Sequence, residues 1–71
     1  MEKIFELRVE KKQNKLSVEA YRNGQEEPFA KHQVEIKTGA YLDAHVALND
    51  TLRAFEREVA SWLMKTLSPV G

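Results

Sequence analysis

The sequence lacks cysteine altogether, which excludes disulfides, thiolate metal sites and cysteine nucleophiles. It also lacks an excess of either charge, because 11 Lys and Arg residues balance 11 Asp and Glu residues. Zero formal net charge removes the strong argument for nucleic acid or an anionic membrane as the default partner. No stretch approaches the roughly 20 apolar residues that cross a bilayer, and we expect no secretory signal. The sequence therefore predicts a cytoplasmic protein with no membrane partner.

Residues that carry chemistry are also scarce. Only two histidines occur, His32 and His45, and neither stands at a metal-ligand spacing. No serine or threonine lies in a nucleophile elbow, and the three glycines form no phosphate-binding loop. We therefore expect no catalytic residues, no metal site and no cofactor. His45 is expected to be partly buried near the start of a helix, and His32 to be exposed.

What the sequence does contain is the composition of a folded domain: 42% hydrophobic and 31% charged residues. Its 71 residues allow one domain, over residues 1–71. A chain of this size buries only roughly 60% of its unfolded surface, so its core is thin. Without disulfides to stabilise it, self-association is the simplest further source of buried area.

Two segments, residues 3–10 and 15–22, alternate apolar and polar side chains with the period of half-buried strands. Their apolar members are Phe5, Leu7 and Val9 in the first and Leu16, Val18 and Ala20 in the second. The polar residues between them predict a tight turn in which Asn14 adopts positive φ. A turn of this kind places Val9 opposite Val18, so the sequence predicts a hairpin with one apolar face.

A third strand is expected within residues 29–37. Asn23-Gly24 is typical of a type I′ turn, in which both central residues have positive φ. A two-residue turn, however, would place the side chains of Phe29 and Val34 on opposite faces of the sheet, although both are apolar. The sequence therefore predicts either a β-bulge at residues 30–32 or a longer loop through Pro28.

From Thr38 onward the apolar period becomes helical. Its members are Tyr41, His45, Leu48, Leu52, Phe55, Val59 and Trp62. We expect one helix over residues 40–67, capped by Thr38 and ending before Pro69, although a second helix could begin at residues 49–51. The fold class is then α+β: a three-stranded antiparallel meander followed by one long C-terminal helix on one face (β-β-β-α).

The predicted core brings strand and helix residues together: Phe5, Leu7, Val9, Leu16, Val18, Val34 and Ile36 against Leu48, Leu52, Phe55 and Val59. A second stripe of the helix carries small side chains, which would let another helix approach closely: Ala44, Ala47, Thr51, Ala54 and Ser61. We expect the large stripe to face the sheet, and the small stripe either to receive another helix or to be solvated, since alanine is a good helix former in any case.

The helix is expected to be longer than the strands beneath it, at roughly 40 Å against roughly 30 Å for strands of eight or nine residues. The excess falls at its apolar C-terminal end, which predicts an interface formed by Val59, Trp62, Leu63, Met64 and Leu67. The leading interpretation is a small non-enzymatic interaction module, a homodimer that binds another macromolecule. A monomer that keeps this patch for another protein, and a plain monomer, remain open.

A nucleic-acid-binding protein is the alternative interpretation. It would use a basic hairpin tip and an exposed aromatic on the outer sheet face for stacking bases. The contact residues would be Arg8, Lys11, Lys12, Lys15 and Tyr21. Glutamates on the same face would cancel much of this positive charge.

Overall fold

The computed structural model describes residues 1–39 and 41–68. Strands β1 (Phe5–Lys12), β2 (Lys15–Arg22) and β3 (Ala30–Glu35) form an antiparallel sheet in the order β1-β2-β3. One helix, α1 (Tyr41–Leu67), follows and packs on one face of the sheet. The predicted β-β-β-α fold is confirmed, and α1 runs unbroken through residues 49–51. The expected helix start at Ala40 lies outside the described residues, and α1 ends at Leu67, as predicted.

The first hairpin has the predicted register. Val9 lies opposite Val18 and Leu7 lies opposite Ala20, so the apolar side chains of both strands share one face. At the turn, the residue with positive φ is Gln13 (φ 55°) and not Asn14. Gln13 and Asn14 lie between two lysines at the hairpin tip, and both are exposed. Packing therefore does not favour positive φ at one of them over the other.

The second connection is the longer loop and not a bulge. A turn closes where the Gln25 amide donates to the Arg22 carbonyl (3.1 Å). Gly24 has a φ of 85°, but Asn23 does not have positive φ, so the type I′ expectation is wrong. The chain then continues through Pro28, and β3 pairs with β2 in unbroken register from Ala30 to Glu35. The extra loop residues set the parity of β3, which places Val34 opposite Leu16.

The helix is rotated about its own axis relative to the predicted orientation. Its small side chains, and not its large ones, face the sheet. Ala47 and Thr51 are buried, with Thr51 at 0% exposure, whereas Leu52 remains 40% exposed. The assignment of the large stripe to the sheet is therefore wrong in part. Small residues let the helix axis come close to the strands, and large residues are then displaced to the flank of the contact.

The core is also smaller at its margins than predicted. Val9, on β1, is 55% exposed, and Ile36, which follows β3, is exposed as well. The reason for Val9 is geometric: α1 lies mainly over β2 and β3, so its cover of β1 reaches Phe5 at the start of the strand but not Val9. The most enclosed side chains are Val18 and Ala20 on the central strand and Thr51 on α1.

Aromatic rings join β1 to the C-terminal half of α1. The Phe5 ring packs edge to face with Phe29, Phe55 and Trp62, at centroid separations of 6.2, 5.8 and 6.4 Å. Such edge-to-face pairs contribute beyond the area they bury. Beside them, the Arg22 guanidinium donates to the Glu58 carboxylate. These contacts fix the point at which α1 crosses the end of the sheet.

Candidate interaction surface

The C-terminal helix surface, defined as Val59, Trp62, Leu63, Met64 and Leu67, lies where the sequence places it. Its exposure rises toward the end of the helix: Val59 is half-buried, whereas Met64 and Leu67 are 75% and 72% exposed. Large apolar side chains at such exposure are costly in water when they are contiguous. The structure shows these side chains exposed, and their role as an interface stays a prediction.

The surface is exposed because the helix outruns the sheet. With 27 residues, α1 is about 40 Å long, whereas the eight residues of β1 span about 27 Å. The Arg22–Glu58 ion pair marks the end of the sheet, and Phe5 reaches Trp62 just beyond it. The final turns of α1 therefore continue past the strands.

An apolar flank extends the C-terminal helix surface back along the helix. A shallow groove is lined by Phe55, Val59, Ala60 and Leu63 with Glu56 at its margin. Leu52, one turn earlier, continues the same flank. The sequence analysis missed Leu52 as a surface residue because it assigned this residue to the core. The stripe of small side chains was the signal that could have identified the flank.

The two histidines exchange their predicted environments. His32 is half-buried, and its Nδ1 lies 2.7 Å from the Thr51 hydroxyl. Because that hydroxyl donates to the Ala47 carbonyl (3.0 Å), it accepts from His32, so Nδ1 carries a hydrogen. His45 is exposed and stacks on Tyr41. The expectation was wrong for both, because the parity of β3 turns His32 toward the helix.

The described residues contain neither a cluster of metal ligands nor a helix suited to cross a membrane. Within residues 1–39 and 41–68, no three His, Asp or Glu side chains converge as a metal site would require. Over the same ranges, no helix combines the length and the apolar character needed to cross a membrane.

The outer sheet face does not present a free aromatic ring. Tyr21 is only 8% exposed, because the Arg8 guanidinium lies over its ring at 4.3 Å from the centroid. The expectation of an exposed Tyr21 is therefore wrong. Arg8 is in turn bound to Glu6, which also accepts from Lys3 (2.7 Å). Three of the residues assigned to nucleic-acid contact, Lys11, Lys12 and Lys15, are exposed at the hairpin tip.

Hydrogen bonding and burial shift the pKa values of Glu6 and Tyr21 on this face. Hydrogen bonds from Lys3 and Arg8 lower the pKa of Glu6 below its ordinary value. Burial of the phenol, reinforced by the Glu19 carboxylate, raises the pKa of Tyr21. Both groups therefore hold their neutral-pH forms more firmly in the folded chain, as expected for a packed, ion-paired face.

Comparison with known proteins gives no relative from which a role could be carried over. No protein-family model matches the chain, and no curated protein or solved structure shows a significant match.

Proposed function

We propose that this chain is a non-enzymatic interaction module that works as a homodimer. The supporting observation is its exposed area, 5953 Å² for a mass of 8.2 kDa. A compact monomer of this mass exposes about 4,500 Å², so the chain carries an excess of about 1,400 Å². A standard interface removes about 800 Å² from each partner. The excess is therefore sufficient for one interface of ordinary size.

The shape of the molecule agrees with this interpretation. Its radius of gyration is 14.8 Å, against about 11 Å for a compact domain of 71 residues. The longest dimension is 54 Å, which reflects the helix continuing past the sheet. Exposed large apolar side chains lie at both ends of α1, with Tyr41, Leu42 and Val46 near its start and the C-terminal helix surface at its end.

A second copy of the chain is the proposed occupant of this surface. A thin core without disulfides is stabilised most simply by burying apolar area against itself, and two-fold dimers are the commonest assemblies. The assembled pair would then leave its charged outer sheet faces free to bind another macromolecule. A different protein on the helix surface is the competing occupant.

The double variant Met64→Glu with Leu67→Glu tests the proposal. Both residues are so exposed in the single chain that the charges leave the fold intact, but burying them in an interface is costly. We expect the solution mass, from sedimentation over a range of concentrations, to fall from a dimer to 8.2 kDa.

Leu42→Glu is the matched control, since Leu42 is 71% exposed at the other end of α1. It should remain dimeric. A wild-type chain that is monomeric at every concentration contradicts the homodimer, as does a dimer that Met64→Glu with Leu67→Glu leaves unchanged. Far-ultraviolet circular dichroism checks that every variant is folded.

The exposed lysines at the hairpin tip support nucleic-acid binding as a second candidate function. Its affinity would fall steeply with salt, because bound phosphates release counterions. Self-association through an apolar surface responds little to salt. Lys12→Glu should weaken nucleic-acid binding. It should leave dimerisation unchanged if the helix surface alone mediates assembly.

A further inference from the structure

Strand β1 leaves one edge of the sheet open. Among the described residues, β1 pairs only with β2, over its full eight residues. The Asn23 amide donates to the Ile4 carbonyl (2.9 Å), which fixes the alternation of hydrogen bonds along the strand. Even-numbered residues bond to β2, so Phe5, Leu7, Val9 and Lys11 turn their N–H and C=O groups to the open edge.

The middle of this edge is also uncovered on the helix side. Because α1 lies mainly over β2 and β3, the Val9 side chain is 55% exposed at the centre of β1. A long open edge with an exposed apolar side chain at its centre is a template for pairing with another strand. The sequence of β1 indicates which strand fits.

The outer face of β1 alternates in charge, as Glu6, Arg8, Glu10 and Lys12. We propose that β1 of a second copy pairs with this edge, antiparallel, about a two-fold axis at Val9. Glu6 then lies opposite Lys12 of the second copy, and Arg8 lies opposite its Glu10. By symmetry each opposed pair occurs twice, and opposite charges across a strand pair are stabilising. This inference rests on the proposed self-association but locates it at the strand edge. Phe5, which contacts Trp62, then lies four residues, about 13 Å, from the axis in each copy, so strand pairing alone does not bring the two C-terminal helix surfaces together.

Neighbouring registers are less favourable. Moving the axis by one residue, to Arg8 or Glu10, places like charges opposite each other. Moving it by two, to Leu7, keeps Glu6 opposite Arg8 but pairs only residues 5–9 of each strand. The Val9 register pairs residues 6–12, so it combines the most strand pairing with complementary charge throughout.

The pairing joins two three-stranded sheets into one of six strands. Residues directly opposite in an antiparallel pair point to the same face, so both helices lie on one side of the joined sheet. Val9 then meets Val9 of the second copy at the axis. Lys11 lies opposite Leu7 of the second copy, with its stem along the leucine and its ammonium in water.

A single cysteine at Val9 tests the register. The chain has no cysteine of its own, so Val9→Cys introduces the only thiol. Directly opposite residues of a hydrogen-bonded pair have Cα atoms about 5.5 Å apart, within the range that a disulfide spans. Under mild oxidation we expect a covalent dimer to form at least about tenfold faster than for Gln33→Cys, an exposed control on β3.

Leu7→Cys distinguishes the registers. Rapid crosslinking at Leu7 and not at Val9 overturns the Val9 axis, and no preference over Gln33→Cys overturns β1 pairing. Charge reversal provides a second measurement that needs no disulfide. Glu10→Lys, which places lysine opposite Arg8, should weaken dimerisation about five- to tenfold, whereas Glu26→Lys in the exposed loop should not. An equal response of the two variants counts against the pairing.

The proposed helix interface and the proposed strand pairing can be rejected independently of each other. If Val9→Cys still crosslinks in the Met64→Glu and Leu67→Glu background, the strand pairing stands without the helix surface. If the wild type is a dimer that those glutamates dissociate while Val9→Cys shows no preference, the proposed helix interface stands and the strand pairing falls.

Discussion

At the scale of single residues, Tyr21 shows how a polar sheet face can enclose an aromatic ring. Glu6 holds Arg8, and Arg8 covers the phenol. The ring is therefore buried on a face that alternation alone marks as exposed. Long charged side chains commonly cover apolar surface in this way, with the charge left in water.

Titration of Tyr21 tests this packing. Its pKa is raised above the ordinary 10.0, chiefly because burial disfavours the phenolate. The stabilisation linked to its proton is complete below pH 10 and is lost as the pH rises through the folded pKa. In a Tyr41→Phe variant Tyr21 is the only tyrosine, and ultraviolet absorbance should show a midpoint above 10.0. A midpoint at or below 10.0 would show that the ring is open to water.

At the scale of elements, the rotation of α1 is the main feature of the fold. Ala47 and Thr51 face the sheet, and the His32–Thr51 hydrogen bond ties the helix to β3 at this point. A buried polar pair of this kind is satisfied on both sides, since Thr51 also donates to Ala47. The helix is thereby held at one rotation about its axis.

Substitution of an alanine on each side of α1 tests the rotation. Ala47→Leu inserts a large side chain between helix and sheet and should destabilise the fold by about 1–3 kcal/mol. Ala60→Leu, on the exposed side, should change stability by less than about 0.5 kcal/mol in the monomer. Urea unfolding of both variants, made in the Met64→Glu and Leu67→Glu background, measures the difference. Equal effects would contradict the observed packing.

At the scale of the whole molecule, the chain has more surface than a compact domain of its mass. If a second copy covers part of it, folding and association are linked, and the thermal midpoint rises with protein concentration. Calorimetry over a wide concentration range should show this rise for the wild type. The Met64→Glu and Leu67→Glu variant should show a constant midpoint. A wild-type midpoint that is independent of concentration would count against dimerisation.

Much of the fold could be predicted because it depends on local pattern. Period-two alternation defined β1 and β2, and the pairing of Val9 with Val18 followed from the turn length. The helix from Tyr41 to Leu67 followed from its unbroken apolar period. The exposed C-terminal helix surface followed from comparing two lengths, so this candidate site was also within reach of the sequence.

The predictions that were wrong depend on contacts between distant segments and not on local pattern. Which stripe of α1 faces the sheet depends on how closely the helix and the sheet can approach each other. Small side chains allow a closer approach, and the hydrophobic pattern of the sequence does not show this. The inward orientation of His32 depended on the length of the loop after Asn23. The exposure of Val9 depended on which strands the helix covers. None of these is a property of one segment.

The element order, the first hairpin and the long apolar helix could be predicted from the sequence, because each follows from periodicity along a short stretch of chain. Three features became visible only in the folded chain: α1 packs through alanine and threonine, Tyr21 is covered, and β1 has an open edge with Val9 exposed. Those outcomes depend on the approach of distant segments, where side-chain volume and loop length select among arrangements of equal local merit.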